Sequence, residues 1–177
     1  MKTEALNRVL VSFIAYSIKR AKLELGANRK IRERKVRRVS SGDLHKSLYG
    51  KTFERKGGVT VGFGSRVRYA DFIHEGVNGT SVKLGSRYSF RSRNLKEGVV
   101  AKWIKQKPVR LRDKDGRFIA MTDKNINSAA FLIGRSIAKN GIVPLPFMRL
   151  GVEAALKKFD TKFLKAIEVD LKNEIDI

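Results

Sequence analysis

Residues 59–80, VTVGFGSRVRYADFIHEGVNGT, decide the fold of this chain. The first six residues of the stretch alternate between larger apolar side chains and small ones. A period of two is typical of a strand with one buried face. Gly57 and Gly58 precede it and indicate a tight turn. Residues 49–56 are therefore predicted to form the first arm of a β-hairpin.

The second half of the stretch, residues 69–80, combines an apolar run with two nearby glycines. Gly76 and Gly79 follow the run closely, which indicates a turn whose backbone needs positive φ. His74, beside Glu75, is expected to have a structural role at a strand end, because a metal site needs more ligands at suitable spacing. The other histidine, His45, is expected to be exposed.

Charge is the most unusual property of the composition. Lys and Arg number 39 against 17 Asp and Glu, which gives a net charge of +22 at pH 7. Such a field implies a polyanionic neighbour, which could be nucleic acid, a membrane surface or an acidic protein. The chain has 177 residues, 42% of them hydrophobic, which predicts a single domain over residues 1–177. The absence of cysteine excludes disulfides and thiolate ligands.

Helical periodicity is evident in the first part of the chain. Apolar residues recur at helical spacing between residues 6 and 25, which predicts an amphipathic helix that begins after Thr3 and ends near Gly26. A short helical turn is predicted around Leu44. Residues 99–105, VVAKWIK, favour a helix that starts from Asn94 and has Trp103 as its largest anchor.

Two longer helices are predicted near the end of the chain. The first spans residues 125–139, capped by Thr122 or Asp123. Pro144 and Pro146 require an extended segment after it. The last helix either packs on the sheet or projects into a partner. The predicted buried stripes are Ala129, Leu132, Ile133, Ser136 and Ile137 in the first helix and Val152, Leu156, Phe159, Phe163, Ile167 and Leu171 in the last.

Residues 29–38, RKIRERKVRR, form the densest basic run. Ile31 and Val36 are its only apolar residues and Glu33 is its only acid, so the run can bury little. It is either a solvated face or flexible arm, or a salt-sensitive contact for a polyanion. The candidate contact residues are Arg29, Lys30, Arg32, Arg34, Lys35, Arg37 and Arg38.

Residues 81–121 form a polar excursion that reads as an inserted loop or arm. Within it, Arg87, Arg91 and Arg93 alternate with aromatic and serine residues, a pattern that can stack bases and clamp phosphates. A loop that contacts a neighbouring subunit has the same composition, so both alternatives stay open. Residues 113–116, DKDG, predict a hairpin-type turn rather than a calcium loop, because the closing Glu is missing.

Sequence motifs for catalysis are absent. The chain has no phosphate-binding Gly-x-x-x-x-Gly-Lys-Ser/Thr loop, no Gly-x-Ser-x-Gly elbow and no His-Glu-x-x-His. No paired carboxylates lie in an apolar setting. We therefore predict a protein that is not an enzyme and has no catalytic, cofactor or metal site.

The order of these elements resembles the head–tail joining family of tailed bacteriophages, the neck or tail-completion proteins and minor tail components. The family's Gly-x-Leu-x-x-Ser, Tyr-Ala-x-x-Ile-x-x-Gly and Pro-Phe-Met elements recur in the same order. The usual Gly-Thr ending is longer here, and the 81–121 excursion is large. The matching residues are Ser41, Gly42, Leu44 and Ser47; Tyr69, Ala70, Ile73 and Gly76; and Pro146, Phe147 and Met148.

This resemblance implies an α+β fold: a small antiparallel sheet with a hairpin, packed by an N-terminal helix and C-terminal helices. The Tyr69–Gly76 element would be a strand. The protein would be a structural virion component, assembled in the host cytoplasm as a ring of six or twelve copies at the phage neck. It would link portal and adaptor proteins to the tail, continue the DNA channel, and meet acidic surfaces or genomic DNA, with no membrane partner and no cofactor.

A second interpretation is a basic nucleic-acid-binding protein that acts as a monomer or dimer. It differs from the first in oligomeric state and predicts tight, salt-dependent binding to bare DNA. A nuclease is a third interpretation, but the sequence lacks an acidic cluster that could hold Mg²⁺.

Overall fold

The computed structural model describes residues 4–27, 29–31, 34–36, 42–55, 58–95, 98–106 and 110–175. The fold class is α+β, as predicted, with helices packed on small antiparallel sheets. The elements in chain order are α1 (Glu4–Gly26), β1 (Arg29–Ile31), β2 (Arg34–Val36), α2 (Asp43–Ser47), β3 (Leu48–Arg55), β4 (Gly58–Ser65), α3 (Ala70–His74), α4 (Val99–Gln106), α5 (Asp123–Asn140) and α6 (Phe147–Ile175).

The chain divides into two compact units. The first combines Met1–Arg68 with Pro146–Ile177, and the second is Tyr69–Leu145. The second unit contains the 81–121 excursion together with α3, α4 and α5. Each unit has its own apolar core, whereas the assignment of residues 1–177 to a single domain stays a prediction.

A close helix pair forms the first unit. Helices α1 and α6 pack against each other in opposite directions, with small residues at the point of closest approach. A Cβ atom added to Gly151 would lie 2.6 Å from the carbonyl oxygen of Ser17 and 2.8 Å from the amide nitrogen of Ala21. Gly151 therefore allows the two backbones to meet almost directly, in the way that small residues do at close helix crossings.

Aromatic side chains pack together next to this crossing. The ring of Phe13 lies 5.9 Å from Phe159, 5.4 Å from Phe163 and 6.3 Å from Phe63, in each case edge-on. Edge-to-face pairs of this kind add to the free energy gained by burying the rings. Phe63 belongs to β4, so the same cluster attaches the hairpin to α1.

The predicted hairpin is confirmed as β3 paired with β4. Its register places Tyr49 opposite Gly64 and Gly50 opposite Phe63, so that Phe63 covers the side that faces α1. On the other side, the exposed rings of Tyr49 and Phe53 lie over the glycine backbone at positions 64 and 62. An aromatic ring can cover the backbone that a strand glycine leaves bare.

The stripe predicted for α6 is partly wrong. Phe159 is buried, but Leu156, Ile167 and Leu171 are exposed, and Gly151, Ala155, Ala166 and Asp170 take their place against α1. The close approach of the two helices at Gly151 leaves room for small side chains only at that point. In α1, Val11, which belongs to the predicted apolar face, is also exposed.

Asp170 makes a long-range contact that the sequence did not reveal. Its side chain is 2% exposed, and its two oxygens accept hydrogen bonds from the first amides of α1: Ala5 N donates to Oδ1 at 3.0 Å and Leu6 N to Oδ2 at 2.9 Å. A helix lacks internal partners for its first amides and has a partial positive charge there. Asp170 thus caps α1 from the far end of the chain.

In the second unit, α4 and α5 enclose the core. Both helices and the α5 cap at Thr122 are confirmed, with Thr122 Oγ1 accepting from Asn125 N at 3.3 Å. The predicted start of α4 at Asn94 is wrong, since the helix begins at Val99. Two predicted core positions, Leu132 and Ser136, are exposed, and Trp103 is 37% exposed rather than an anchor. The buried residues are Val100, Ala101, Ile104, Leu111 and Ile126.

The segment that the resemblance presents as a strand is helical. Residues Ala70–His74 form α3, and Glu75 N donates to the carbonyl of Asp71 at 2.8 Å to close its last turn. Ala70 is buried while Ile73 and His74 are half-buried, a spacing that suits one face of a helix. Gly76 then ends the helix with the predicted positive φ of 76°. Gly79 does not adopt positive φ; its missing side chain avoids a collision with the Lys139 carbonyl.

Candidate polyanion-contact surfaces

Exposed ion pairs engage many of the acidic side chains among the described residues. Lys172 bonds Glu168 at 2.7 Å and Lys105 bonds Asp123 at 2.8 Å, and these salt bridges lower the pKa of both carboxyl groups. Exposed pairs of this kind add little to stability because water and salt screen them. The chain has 39 Lys and Arg residues against 17 Asp and Glu residues. More than half of its positive charge must therefore be neutralised by ions or molecules outside the chain.

The 29–38 run has a regular backbone over its described residues. Strands β1 and β2 pair in antiparallel fashion, with Arg29 opposite Val36, Lys30 opposite Lys35 and Ile31 opposite Arg34. This short ribbon was not predicted from the sequence. Three of the candidate residues, Arg32, Arg37 and Arg38, lie outside the described part, and the role of the run as a polyanion contact stays a prediction.

Asn78 organises the loop that carries the second predicted contact. It is buried, and its Oδ1 accepts from Leu84 N at 2.7 Å and Ser86 N at 3.2 Å, while its Nδ2 donates to Ser89 Oγ at 3.1 Å. Its backbone pairs with residues 88 and 90. The loop therefore closes on a residue of its own unit, and the prediction that it contacts a neighbouring subunit stays a prediction.

We expect an Asn78→Ala variant to loosen this loop. The change leaves the part-buried amides of Leu84 and Ser86 without their acceptor, which costs about 2 kcal/mol in the free energy of unfolding. Hydrogen exchange followed by mass spectrometry should show faster exchange over residues 81–90. Asn127→Ala, an exposed position on α5, is the control and should leave that exchange unchanged. Equal exchange in both variants would contradict the role given to Asn78.

The three arginines predicted in this loop differ in their surroundings. Arg87 Nε contacts Glu75 Oε2 at 2.7 Å, and its guanidinium lies 4.8 Å from the centre of the Tyr88 ring. Arg87 is therefore partly neutralised by Glu75 within its own unit. Arg91 and Arg93 are exposed.

A basic finger, residues 110–119, was missed in the sequence. Arg112 pairs with Phe118 across the predicted DKDG turn, so the arginine and the aromatic ring lie side by side. The guanidinium of Arg112 lies 4.1 Å from the centre of the Phe118 ring and that of Arg110 lies 5.5 Å from it. The predicted turn on residues 113–116 was the available signal, but it would place Arg112 opposite Arg117. The observed hairpin loop is one residue longer, so Arg112 lies opposite Phe118.

His45 is half-buried, against the expectation that it is exposed. It lines a shallow hollow of about 340 Å³ with Ala15, Ile18, Lys19, Lys22 and Leu23. Partial burial, and secondarily the Lys22 charge, lower the pKa of His45, which favours the neutral imidazole. A neutral, partly covered ring gives no support for a polyanion contact here.

No cluster of three or more potential metal ligands occurs among the described residues. A second hollow, of about 290 Å³, lies between the loop at Asn94 and helices α4 and α5, and none of its lining side chains is titratable.

Within the part of the chain that the structure describes, no helix is long and apolar enough to cross a membrane. The described candidate contact residues Arg87, Arg91, Arg110 and Arg112 are exposed.

The fold and these surfaces define a strongly basic α+β protein with exposed cation–aromatic groups. Comparison with known proteins finds no matching family model, curated protein or solved structure. The resemblance to a family consequently stays a prediction from the motif order in the sequence.

Proposed function

We propose that this protein is a structural subunit of a ring at the neck of a tailed bacteriophage. In this role it joins the portal and adaptor proteins to the tail and continues the channel for DNA, and it performs no enzymatic step. The proposal is supported by the order of the Gly42, Tyr69 and Pro146 motif elements along the chain. It is also supported by the helix-packed hairpin of the first unit.

The observation that carries the assembly part of the proposal is an exposed apolar row on α6. Its members, Leu164, Ile167, Leu171 and Ile175, follow at helical spacing and are 65%, 37%, 45% and 80% exposed. Residues spaced by three and four positions line one side of a helix. A contiguous apolar surface on a highly charged protein is typical of a site of protein association.

The hairpin offers a second surface of a different kind. Strands β3 and β4 pair only with each other among the described residues, so each has an outer edge with unpaired backbone groups. Tyr49 and Phe53 stand exposed on the outer face. A cyclic ring needs two unlike patches that meet between successive copies. The α6 row and the hairpin are two such patches, and strand edges pair readily with other chains.

The net charge of +22 bears on how such a ring is stabilised. Neighbouring copies repel each other, and screening acts over a Debye length of about 8–10 Å at physiological salt, too long to remove repulsion at contact. Acidic surfaces of adjoining virion proteins, DNA in the channel, or both would supply the missing negative charge. The 29–38 run and the 87–93 loop are the predicted contact points.

Oligomeric state tests the proposal directly. We expect closed rings by native mass spectrometry and negative-stain microscopy when duplex DNA is present, and weaker association in dilute low-salt buffer without it. Leu164→Gln with Leu171→Gln should convert rings to monomers. Polar side chains at these positions remove much of the free energy gained by burying the apolar row in the interface. Leu23→Gln, also exposed but on α1, is the matched control and should still form rings.

The contrary result is a monomer at every salt concentration, with and without DNA. That outcome would favour the second function, a monomeric or dimeric nucleic-acid-binding protein, for which the Arg110–Phe118–Arg112 group is the specific support. Unaided ring formation in dilute low-salt solution would contradict the part of the proposal that assigns neutralising charge to neighbours.

A further inference from the structure

The basic finger, residues 110–119, rises from a fixed base. Leu111 is 7% exposed and belongs to the core cluster of α4 and α5, and Ile119 packs against the same cluster. Ile119 N donates to the carbonyl oxygen of Leu111 at 3.1 Å. The side chains that alternate with Leu111 and Ile119, namely Arg110, Arg112 and Phe118, are exposed. The finger thus displays its cations and ring from a supported position.

Asp113 closes the tip of the finger. Its Oδ1 accepts from the amides of Asp115 and Arg117, both at 2.9 Å, and its own amide donates to the Arg117 carbonyl at 2.9 Å. Gly116 adopts φ 83°, the left-handed conformation that this tight turn needs. The Asp113 carboxylate is therefore held by the turn, where it orders the finger that carries the two arginines.

The arginines are positioned by the aromatic ring rather than by an acid. Both guanidinium groups lie within cation–π distance of Phe118, and Arg112 Nη1 also donates to the carbonyl oxygen of Gly116 at 2.8 Å. A guanidinium held against an aromatic ring keeps N–H donors at its rim for a planar acceptor. Arg87, by contrast, already donates to Glu75.

We propose that the basic finger binds the sugar–phosphate backbone of nucleic acid without reading sequence. Arg110 and Arg112 are two residues apart in an extended segment, which separates their Cα atoms by about 6.6 Å. Successive phosphates of one nucleic-acid strand are spaced comparably, so that each arginine can meet its own phosphate in a bidentate bond. The high positive charge of the whole chain attracts a polyanion to this point.

Binding of the full-length protein to a fluorescent random-sequence DNA duplex tests the finger. Fluorescence anisotropy over a series of salt concentrations gives the affinity and the slope of log K against log salt. For Arg110→Gln with Arg112→Gln, we expect about a tenfold loss for each arginine near 0.1 M salt. The slope should fall by about one for each phosphate contact removed. Phe118→Leu should weaken binding less and leave the slope unchanged, because it removes the support and keeps the charges.

Arg135→Gln is the matched control. Arg135 is an exposed arginine on α5 in the same unit, and its loss lowers the net charge without touching the finger. If one such change weakens DNA binding as much as each finger arginine does, the attraction is diffuse and the proposal is overturned. The proposal is also overturned if the finger variants lose affinity for polyglutamate but not for DNA, which would assign the finger to an acidic protein.

This inference is independent of ring formation, and the same samples separate the two. Native mass spectrometry reports the oligomeric state of each variant, while anisotropy reports DNA binding. Monomers that bind DNA through Arg110 and Arg112 would support the finger and contradict the ring. Rings that bind DNA equally well with and without Arg110 and Arg112 would support the proposed ring and overturn the proposed role of the finger.

Discussion

A Gly151→Val variant is expected to lose about 3 kcal/mol in the free energy of unfolding of the first unit. The added Cβ alone would lie 2.6 Å from Ser17 O and 2.8 Å from Ala21 N, and both are backbone atoms of α1. Backbone atoms cannot turn aside as a flexible side chain can, so α6 and α1 must separate. Separation weakens the contacts of Phe13 with Phe159 and Phe163, and overpacking of this kind typically costs about 1–3 kcal/mol before such losses are added.

Urea denaturation followed by circular dichroism measures this effect, and hydrogen exchange of α1 and α6 amides localises it. Gly151→Ala should show a smaller loss of the same sign, because its single methyl already meets both backbone atoms. Lys157→Val places the same β-branched residue at an exposed position of the same helix, so only its lower helix propensity, about 0.5 kcal/mol, should register. Equal midpoints for Gly151→Val and Lys157→Val would show that the helices do not meet at Gly151.

The sequence predicted elements whose signals are local. The β3–β4 hairpin followed from an alternating stretch that comes directly after a glycine pair, and α5 followed from Thr122 and a helical period. These signals work because pleat, turn and cap geometry depend on residues only a few positions apart. The α3 segment was misassigned because five mostly apolar residues fit a strand and a helical turn equally well.

What the sequence did not reveal depends on how distant elements meet. The face of α6 that packs on α1 was assigned to large residues, whereas Gly151 and Ala155 occupy it, because a close crossing selects small side chains. Hydrophobic periodicity alone favours the larger residues, such as Leu156 and Leu171, which the fold leaves exposed. The misassigned residues therefore include part of the apolar row that supports the proposed assembly.

Among the candidate surfaces, too, some features are visible in the sequence and others appear only in the folded structure. The basic run at 29–38 and the arginines at 87–93 are visible as composition, whereas the ion pair of Arg87 with Glu75 is visible only in the structure. The basic finger is inconspicuous in composition because Asp113 and Asp115 dilute its charge. Only the pairing of Arg112 with Phe118 across the turn brings the cations and the ring together.

An Asp170→Ala variant is expected to destabilise the first unit by about 2–3 kcal/mol. The change removes the acceptors for the amides of Ala5 and Leu6, which are 165 and 164 residues away in sequence. Because Asp170 is only 2% exposed, water has little access to replace its carboxylate there. Loss of a helix cap typically costs about 1 kcal/mol, up to about 2. Hydrogen bonds to a charged group are worth more, about 1.5–3 kcal/mol. The interaction with the helix dipole adds to both.

Chemical denaturation gives the change in free energy, and hydrogen exchange at the start of α1 shows where it arises. Asp160→Ala is the matched control, since Asp160 is an exposed carboxylate of the same helix and its loss changes the net charge equally. Asp170→Asn should lie between the two, because the amide keeps one acceptor oxygen for the two backbone donors. If Asp170→Ala were no more harmful than Asp160→Ala, the two helices would be joined by apolar packing alone. The carboxylate at position 170 would then have no part in fixing where α1 begins against α6.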